Sequence, residues 1–353
     1  MDNDNYGNRL QNYAVVNIFI KFGFKIETLV LNQRKGHYKY IPRALKMILL
    51  PIREKKKDKF NVLKLKRKKR FKEFNVKHGI IIKKLPLWSA SALRKQYKFF
   101  SVGSDQIWNP NIGYGYMTEF LSFAKQNQRI AFAPSFGTES IPKNKVEIYR
   151  EGLNGFEYIS VREQSGADLV YRLTQKKAEV LLDPTMMLTA DEWRKISKPT
   201  SFAKGKYILK YFLGSENKKN IKRIETIAKA NDCKVLELLN KSYPELYCSD
   251  PSEFIDLIDH AELICTDSFH ACVFSILFDK PFLVFDRDGN GAGMGSRIST
   301  LLFTLGLERK MPGCVDEDNI FEHDYTNAYR RLEKERKKAL DFLKRSLRLE
   351  DED

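Results

Sequence analysis

AELICTDSFHACVFSILFDKPFLVFD, residues 261–286, decides the fold class. The apolar run ELIC closes in the polar cluster Thr266-Asp267-Ser268. HACVFSILFD has the length of a short helix, and KPFLVFD reads as the next strand. Strand, turn, helix and strand at this spacing form a parallel βαβ unit. The same alternation runs upstream, with KYILKYFLG (206–214) and CKVLELLN (233–240) as strands. NKKNIKRIETIAKAND (217–232) and SEFIDLIDHA (252–261) read as the helices between them. Downstream, RDGNGAGMG (287–295) is a loop, SRISTLLFTLG (296–306) a helix, and 325–347 a long charged helix.

The first half repeats the pattern less cleanly. NRLQNYAVVNIFIKFGF (8–24) has helical periodicity through Leu10, Tyr13, Ala14, Ile18 and Phe22, and IETLVL (26–31) reads as a strand. FFSVGSD (99–105), RIAFAPSFG (129–137), YISVRE (158–163) and AEVLLDPTMML (178–188) read as strands, with helices over 144–156 and 164–175. An open α/β domain usually feeds its first helix from a preceding strand. None is visible here, so either the start is truncated or another strand takes the edge. The expectation is an α/β protein of two Rossmann-like doubly wound domains facing a cleft, divided near Lys198-Pro199-Thr200. Residues 1–199 form the first domain, 200–324 the second, and 325–353 a C-terminal helix.

The 353 residues carry 62 Lys and Arg against 45 Asp and Glu, a net charge of +17. That excess sits in residues 34–84, which hold 20 basic and 3 acidic side chains; the rest is neutral. The segment is expected to be a helical insertion, broken near Pro51. Three readings of it stay open: a solvated helix pair, a nucleic-acid contact, and attachment to a membrane surface. No sequence-reading motif accompanies the charge, which counts against specific nucleic-acid binding. Leu, Ile and Phe interleaved with Lys and Arg over 41–77 favour an interfacial helix on anionic lipid. No run approaches the about 20 apolar residues of a membrane span. The N-terminus lacks an apolar signal region, which predicts a cytoplasmic protein, peripheral to the inner membrane face if the basic segment binds lipid. Five scattered cysteines without a CxxC pair fit buried thiols rather than disulfides or a metal site.

Ligands of open α/β sheets sit outside the carboxyl ends of the strands, often against helix N-termini. Small polar clusters fall at such places: Asp2–Gly7, Gly103-Ser104-Asp105, Arg162-Glu163 and Asp267-Ser268-Phe269-His270. There is no phosphate-binding P-loop, and GNGAGMG (289–295) lacks the setting of a dinucleotide loop. His37, His78 and His323 lie in charged contexts, and His260 ends a helix. His270 lies just past a strand end, and its position alone leaves chemistry and a packed N-capping turn equally open.

NYGNRLQNYA (5–14), VGSDQIWNP (102–110), ISVRE (159–163), LLDPT (181–185), residues 254–282 and SRISTLL (296–302) together resemble the polysaccharide pyruvyl transferase family. The resemblance covers most of the chain, in order, and is weak over the basic segment and the tail. It implies a GT-B-like pair of domains, the first binding acceptor and the second binding donor. It also implies transfer of a pyruvyl group from phosphoenolpyruvate to two hydroxyls of a sugar of a surface polysaccharide or its lipid-linked precursor, giving a cyclic ketal and phosphate. No cofactor or metal is expected.

On that reading His270 is the general acid or the phosphate partner, since histidine titrates near neutrality. Arg162 pairs bidentately with a donor anion, and Arg297 is a second anion ligand. Asp267, Ser268 and Phe269 supply the helix N-terminus. Gly103, Ser104, Asp105 and Gln106 face the acceptor, with Asn5, Gly7 and Gln11 helping. This chain has Ser268 where some members carry an arginine, Ala271 where many have glycine, and no strand before NYG. The competing readings are a GT-B glycosyltransferase using a nucleotide sugar and a non-catalytic carbohydrate-binding relative.

Overall fold

The computed structural model describes residues 4–32, 59–86, 89–112, 116–215, 217–287, 295–315 and 319–349. The expected helix over 41–58 and the glycine-rich stretch 289–294 lie outside these residues. Helices α1 (Tyr6–Lys21) and α2 (Lys59–Lys77) flank a small parallel sheet of β1 (Thr28–Asn32) and β2 (Ile82–Pro86). A four-stranded parallel sheet follows, in the order β3 (Phe100–Gly103), β4 (Arg129–Phe132), β5 (Tyr158–Val161), β6 (Glu179–Val180). Helices α3 (Val146–Asn154) and α4 (Gln164–Thr174) make its last two crossovers.

The second four-stranded sheet contains β7 (Tyr207–Tyr211), β8 (Lys234–Glu237), β9 (Leu263–Thr266) and β10 (Phe282–Val284), in the spatial order β10-β9-β7-β8. Its crossovers are α5 (Lys218–Ala230), α6 (Pro251–Asp259) and α7 (Phe269–Leu277). Every pair is parallel, as the alternating sequence pattern requires. Strands β7, β9 and β10 are buried throughout, which is why they read as continuous apolar runs rather than as alternations. Helices α8 (Gly295–Leu305) and α9 (Thr326–Leu347) complete the chain.

Two local expectations are corrected. The basic segment is not helical to its end: α2 stops at Lys77, Gly79 takes φ +66°, and Lys83 and Lys84 fall in β2. The β-branched run Ile80-Ile81-Ile82 follows that glycine and favours an extended chain. AEVLLDPTMML is a strand only at Glu179–Val180. Asp183 then caps a 3-10 turn, Pro184–Met187, with proline at its first position.

Helix α1 packs between the halves. Its Tyr6 ring stacks on Phe254 of α6 at 4.4 Å, and its hydroxyl donates to the Ser249 carbonyl at 2.9 Å. Tyr13 meets Trp193 at 5.4 Å, and Trp193 meets Phe274 of α7 at 5.0 Å. One apolar cluster therefore runs from Phe132 in the first sheet to Phe254 and Phe274 in the second half. Helix α9 crosses back over both. Its Arg336 donates to the Met186 and Leu188 carbonyls, at 2.7 and 2.9 Å, and Lys338 donates to Val180. At its other end Tyr325 and Tyr329 donate to the carbonyls of Lys280 and Ile276.

Arg67 of α2 is buried against α1. It donates to the Tyr6 hydroxyl at 2.8 Å, the Tyr247 carbonyl and the Asp4 carbonyl, and its guanidinium lies 4.5 Å from the Tyr6 ring centre. Hydrogen bonds from a charged group each contribute about 1.5–3 kcal/mol. Arg67→Ala is expected to lower the unfolding free energy by about 3 kcal/mol. The exposed Lys72→Ala should stay within about 0.5 kcal/mol of the parent. Urea denaturation of the two variants reads the difference.

Candidate active site

His270 sits in the first turn of α7, at the carboxyl end of β9. The turn before it is rigid. The Ser268 N–H donates to Thr266 Oγ1 at 2.9 Å. Ser268 occupies the N-cap position without a side-chain hydrogen bond. Asp267 accepts from the Leu213 and Gly214 N–H groups at 2.7 and 2.8 Å and pairs with Arg287 at 2.9 Å. Asp267 thus braces the loop after β7 against the turn, with both carboxylate oxygens occupied.

Asp183 joins the two halves. Its Oδ2 accepts from Ser104 Oγ at 2.6 Å and from Arg162 Nη1, and it lies 3.6 Å from His270 Nε2. Its Oδ1 accepts from the N–H and hydroxyl of Thr185, at 2.9 and 2.6 Å. Burial pushes this carboxyl up, but Arg162 and then His270 outweigh burial and hold it well below the usual carboxylate range. Arg162 therefore pairs with Asp183 rather than with its neighbour Glu163. Glu163 accepts from Ser135 Oγ and from the N–H groups of Phe136 and Gly137.

Two cations lie against the Phe269 ring. The Arg162 guanidinium lies 4.6 Å from its ring centre and that of Arg297, from α8, lies 5.8 Å away. Asp105 stands 3.6 Å from Arg162 and 3.8 Å from Arg297. Burial raises its carboxyl, and Arg162, then His270 and Arg297, more than offset this, so it is lowered and ionised at neutral pH. Burial, with Arg162 nearby, lowers Arg297 to about 10, still cationic at neutral pH. Asp105 takes φ +53°, a strained backbone that aspartate tolerates better than most residues, and Asn8 of α1 donates to it at 3.3 Å.

Asp105, Phe269, His270 and Arg297 floor a cleft of about 850 Å³. Its polar end holds Asn8, Asp105, Ser268, His270, Arg287 and Arg297, and its other wall mixes Val15, Phe19, Phe24, Phe99 and Phe123 with Lys25, Glu27 and Lys98. Arg162 does not line it. With Asp183, Phe269 and Arg297 it faces a cavity of about 20 Å³ on the far side of Phe269. Four buried nitrogens near the cleft floor make no hydrogen bond: His270 Nε2, Arg297 Nε, and Nε and Nη2 of Arg162; His270 Nε2 and Arg162 Nη2 face Asp183 and Asp105, respectively, at 3.6 Å.

The remaining expected residues sort by position. Gln11 is buried and lines the cleft beside Gly103, where a Cβ would lie 3.5 Å from its amide nitrogen. Gln106 lines it too, its amide oxygen held by Asn109 at 3.2 Å. Asn5 caps α1, accepting from the Asn8 N–H at 3.1 Å, while also touching the cleft. Gly7 is decisive: a Cβ there would stand 2.0 Å from His270 Nδ1, so only glycine lets the imidazole pack against α1. Asp183 and Arg287 carried no expected role. LLDPT could have flagged the first as a carboxylate at a strand end. Arg287 lies 20 residues from its partner Asp267, and no local pattern marks it. Among the described residues, no group of three or more His, Cys, Asp or Glu is arranged to hold a metal ion.

A carboxylate lowered on folding contributes stability that is full above its unfolded value, about 3.9, and lost as pH falls toward the folded one. Melting temperature should therefore drop on acidification below about pH 4. Asp183→Asn should start from a lower melting temperature at pH 7 and show a shallower acid decline; parallel decline in both proteins would contradict the assigned charge state.

No curated protein sequence matches. A solved structure of UDP-GlcNAc 2-epimerase from Neisseria meningitidis bound to UDP-GlcNAc aligns over 97% of this chain and 98% of its own, at 11% identity and a TM-score of 0.47. The family model of polysaccharide pyruvyl transferase matches residues 5–289, a span that runs from the cap of α1 past His270 to the loop after β10. The chain belongs to the polysaccharide pyruvyl transferase family, a family of transferases.

Proposed function

We propose that the cleft transfers the pyruvyl group of phosphoenolpyruvate to two hydroxyls of a saccharide, forming a cyclic ketal and inorganic phosphate. The observation that carries this reading is the convergence of His270, Arg287 and Arg297 on the wall of one cleft. A small dianion carrying carboxylate and phosphate oxygens would be held by these cationic and hydrogen-bonding groups. Arg287, beside Ser268 on the same wall, is the cation we assign to the place where some relatives carry an arginine.

His270 then donates a proton to the donor methylene carbon. One acceptor hydroxyl adds to the adjacent carbon and returns its proton to His270, leaving a tetrahedral phosphate ester. The carbon–oxygen bond to phosphate breaks with its electron pair on phosphate, and the second hydroxyl closes the ring and gives its proton to the departing phosphate. Asp105, ionised and wedged between two arginines, accepts a hydrogen bond from the acceptor and stabilises positive charge on the reacting carbon. Asp183 holds the imidazole from behind and Arg162 keeps Asp183 charged, so Arg162 acts through Asp183 as well as through the field it adds. The apolar side chains on the cleft's other wall support an acceptor with an apolar portion, as in a lipid-linked saccharide. A cytoplasmic site would give access to phosphoenolpyruvate.

Phosphoenolpyruvate should raise the melting temperature where UDP-sugars do not, and saccharide acceptors should trigger phosphate release from it. His270→Ala should cut that release by about 10²–10⁴-fold with the fold intact, the range for loss of a general acid. Unchanged release would remove His270 from the reaction. Gly7→Ala should lower kcat at least tenfold without a matching loss of melting temperature, because alanine suits a helix while its methyl displaces the imidazole. Wild-type kcat in this variant would show that the Gly7 contact does not set the position of the histidine.

A further inference from the structure

We propose that the outward face of α2 docks on an anionic lipid bilayer. The helix has two unlike faces. Leu63, Arg67, Phe71 and Phe74 are buried against the protein, and Arg70 pairs with Asp250 and Glu253 at 3.1 and 2.7 Å. On the opposite side Leu65, Lys69, Lys72 and Val76 follow one another at helical spacing. Val62, Leu65 and Val76 there are 48%, 68% and 81% exposed. Lys64, Lys66, Lys69, Lys72 and Lys77 are exposed as well.

The side chains are divided by chemistry. Both arginines of α2 serve inward contacts, and its outward cations are all lysine. Glu73 is the one acid in the helix, and it pairs with Lys69 at 3.7 Å. A face kept only for solubility would have no aligned aliphatic residues, and phosphodiester binding needs cations but no aliphatic stripe. A bilayer surface uses both. Lysines meet headgroup phosphates, while aliphatic side chains enter the acyl boundary. Among the described residues no helix is long and apolar enough to cross a membrane, so the contact is with its surface. The proposal does not depend on which donor the cleft takes.

The test is flotation of the full chain with phosphatidylcholine vesicles, with and without phosphatidylglycerol. The protein should float only with the anionic vesicles and be released by salt. Lys66→Gln/Lys69→Gln/Lys72→Gln removes three charges and should weaken partitioning by roughly tenfold or more. Leu65→Ser/Val76→Ser should weaken it as well, with melting temperatures unchanged in both variants. Equal flotation with neutral vesicles would overturn the proposal. So would wild-type flotation of either variant, or competition by duplex DNA that is equally strong for the parent and for Leu65→Ser/Val76→Ser.

Discussion

The buried pair Arg162–Asp183 is the constraint on which the rest of the site depends. Burying two charges is costly, and the cost is met only where geometry and further hydrogen bonds are good. Asp183 meets that condition with Ser104, Thr185 and Arg162 from the first half. His270 from the second half completes its surroundings at 3.6 Å. One carboxylate thus ties the ends of β3 and β5, the turn after β6, and the start of α7. If the halves moved apart, Asp183 and Arg162 would stay together but His270 would lose its neighbour. A separated molecule would keep its charge pair and lose the approach of His270 to Asp183.

Electrostatics and sterics support each other here. Arg162 and Arg297 both lie against Phe269, whose aromatic ring attracts each cation. Asp105, between them, reduces their repulsion. Around this cluster α1 acts as a spacer. Gly7 admits the imidazole, Asn8 reaches Asp105, and Tyr6 anchors the helix on α6. Three consecutive residues of α1 therefore contact both halves.

Much of this was legible in the sequence. The parallel βαβ order follows from apolar runs broken by polar turns, and strands such as LICT are buried on both faces as such runs imply. His270, Arg297, Asp105 and Phe269 were legible because each stands at a strand end or helix start. Asp183 was hidden because its role comes from partners at 104, 162 and 270, which are brought near only by the fold. Ile82–Pro86 escaped notice because its adjacent Lys83 and Lys84 extend a run of basic charge and break the period-2 alternation of a strand. Arg162 was legible as important but not as buried: a strand-end arginine looks the same whether it faces a cleft or the carboxylate behind it.

Helix α9 bears on how the chain is made. The carbonyls of Val180, Met186 and Leu188 belong to the first half, yet their donors Arg336 and Lys338 leave the ribosome about 150 residues later. Until then those carbonyls rely on water, and the apolar faces of α8 and of the 184–187 turn lack their cover. Contacts this distant in sequence form slowly and leave intermediates exposed. The first half can condense during synthesis, but its closing strap arrives only after the second sheet has been made.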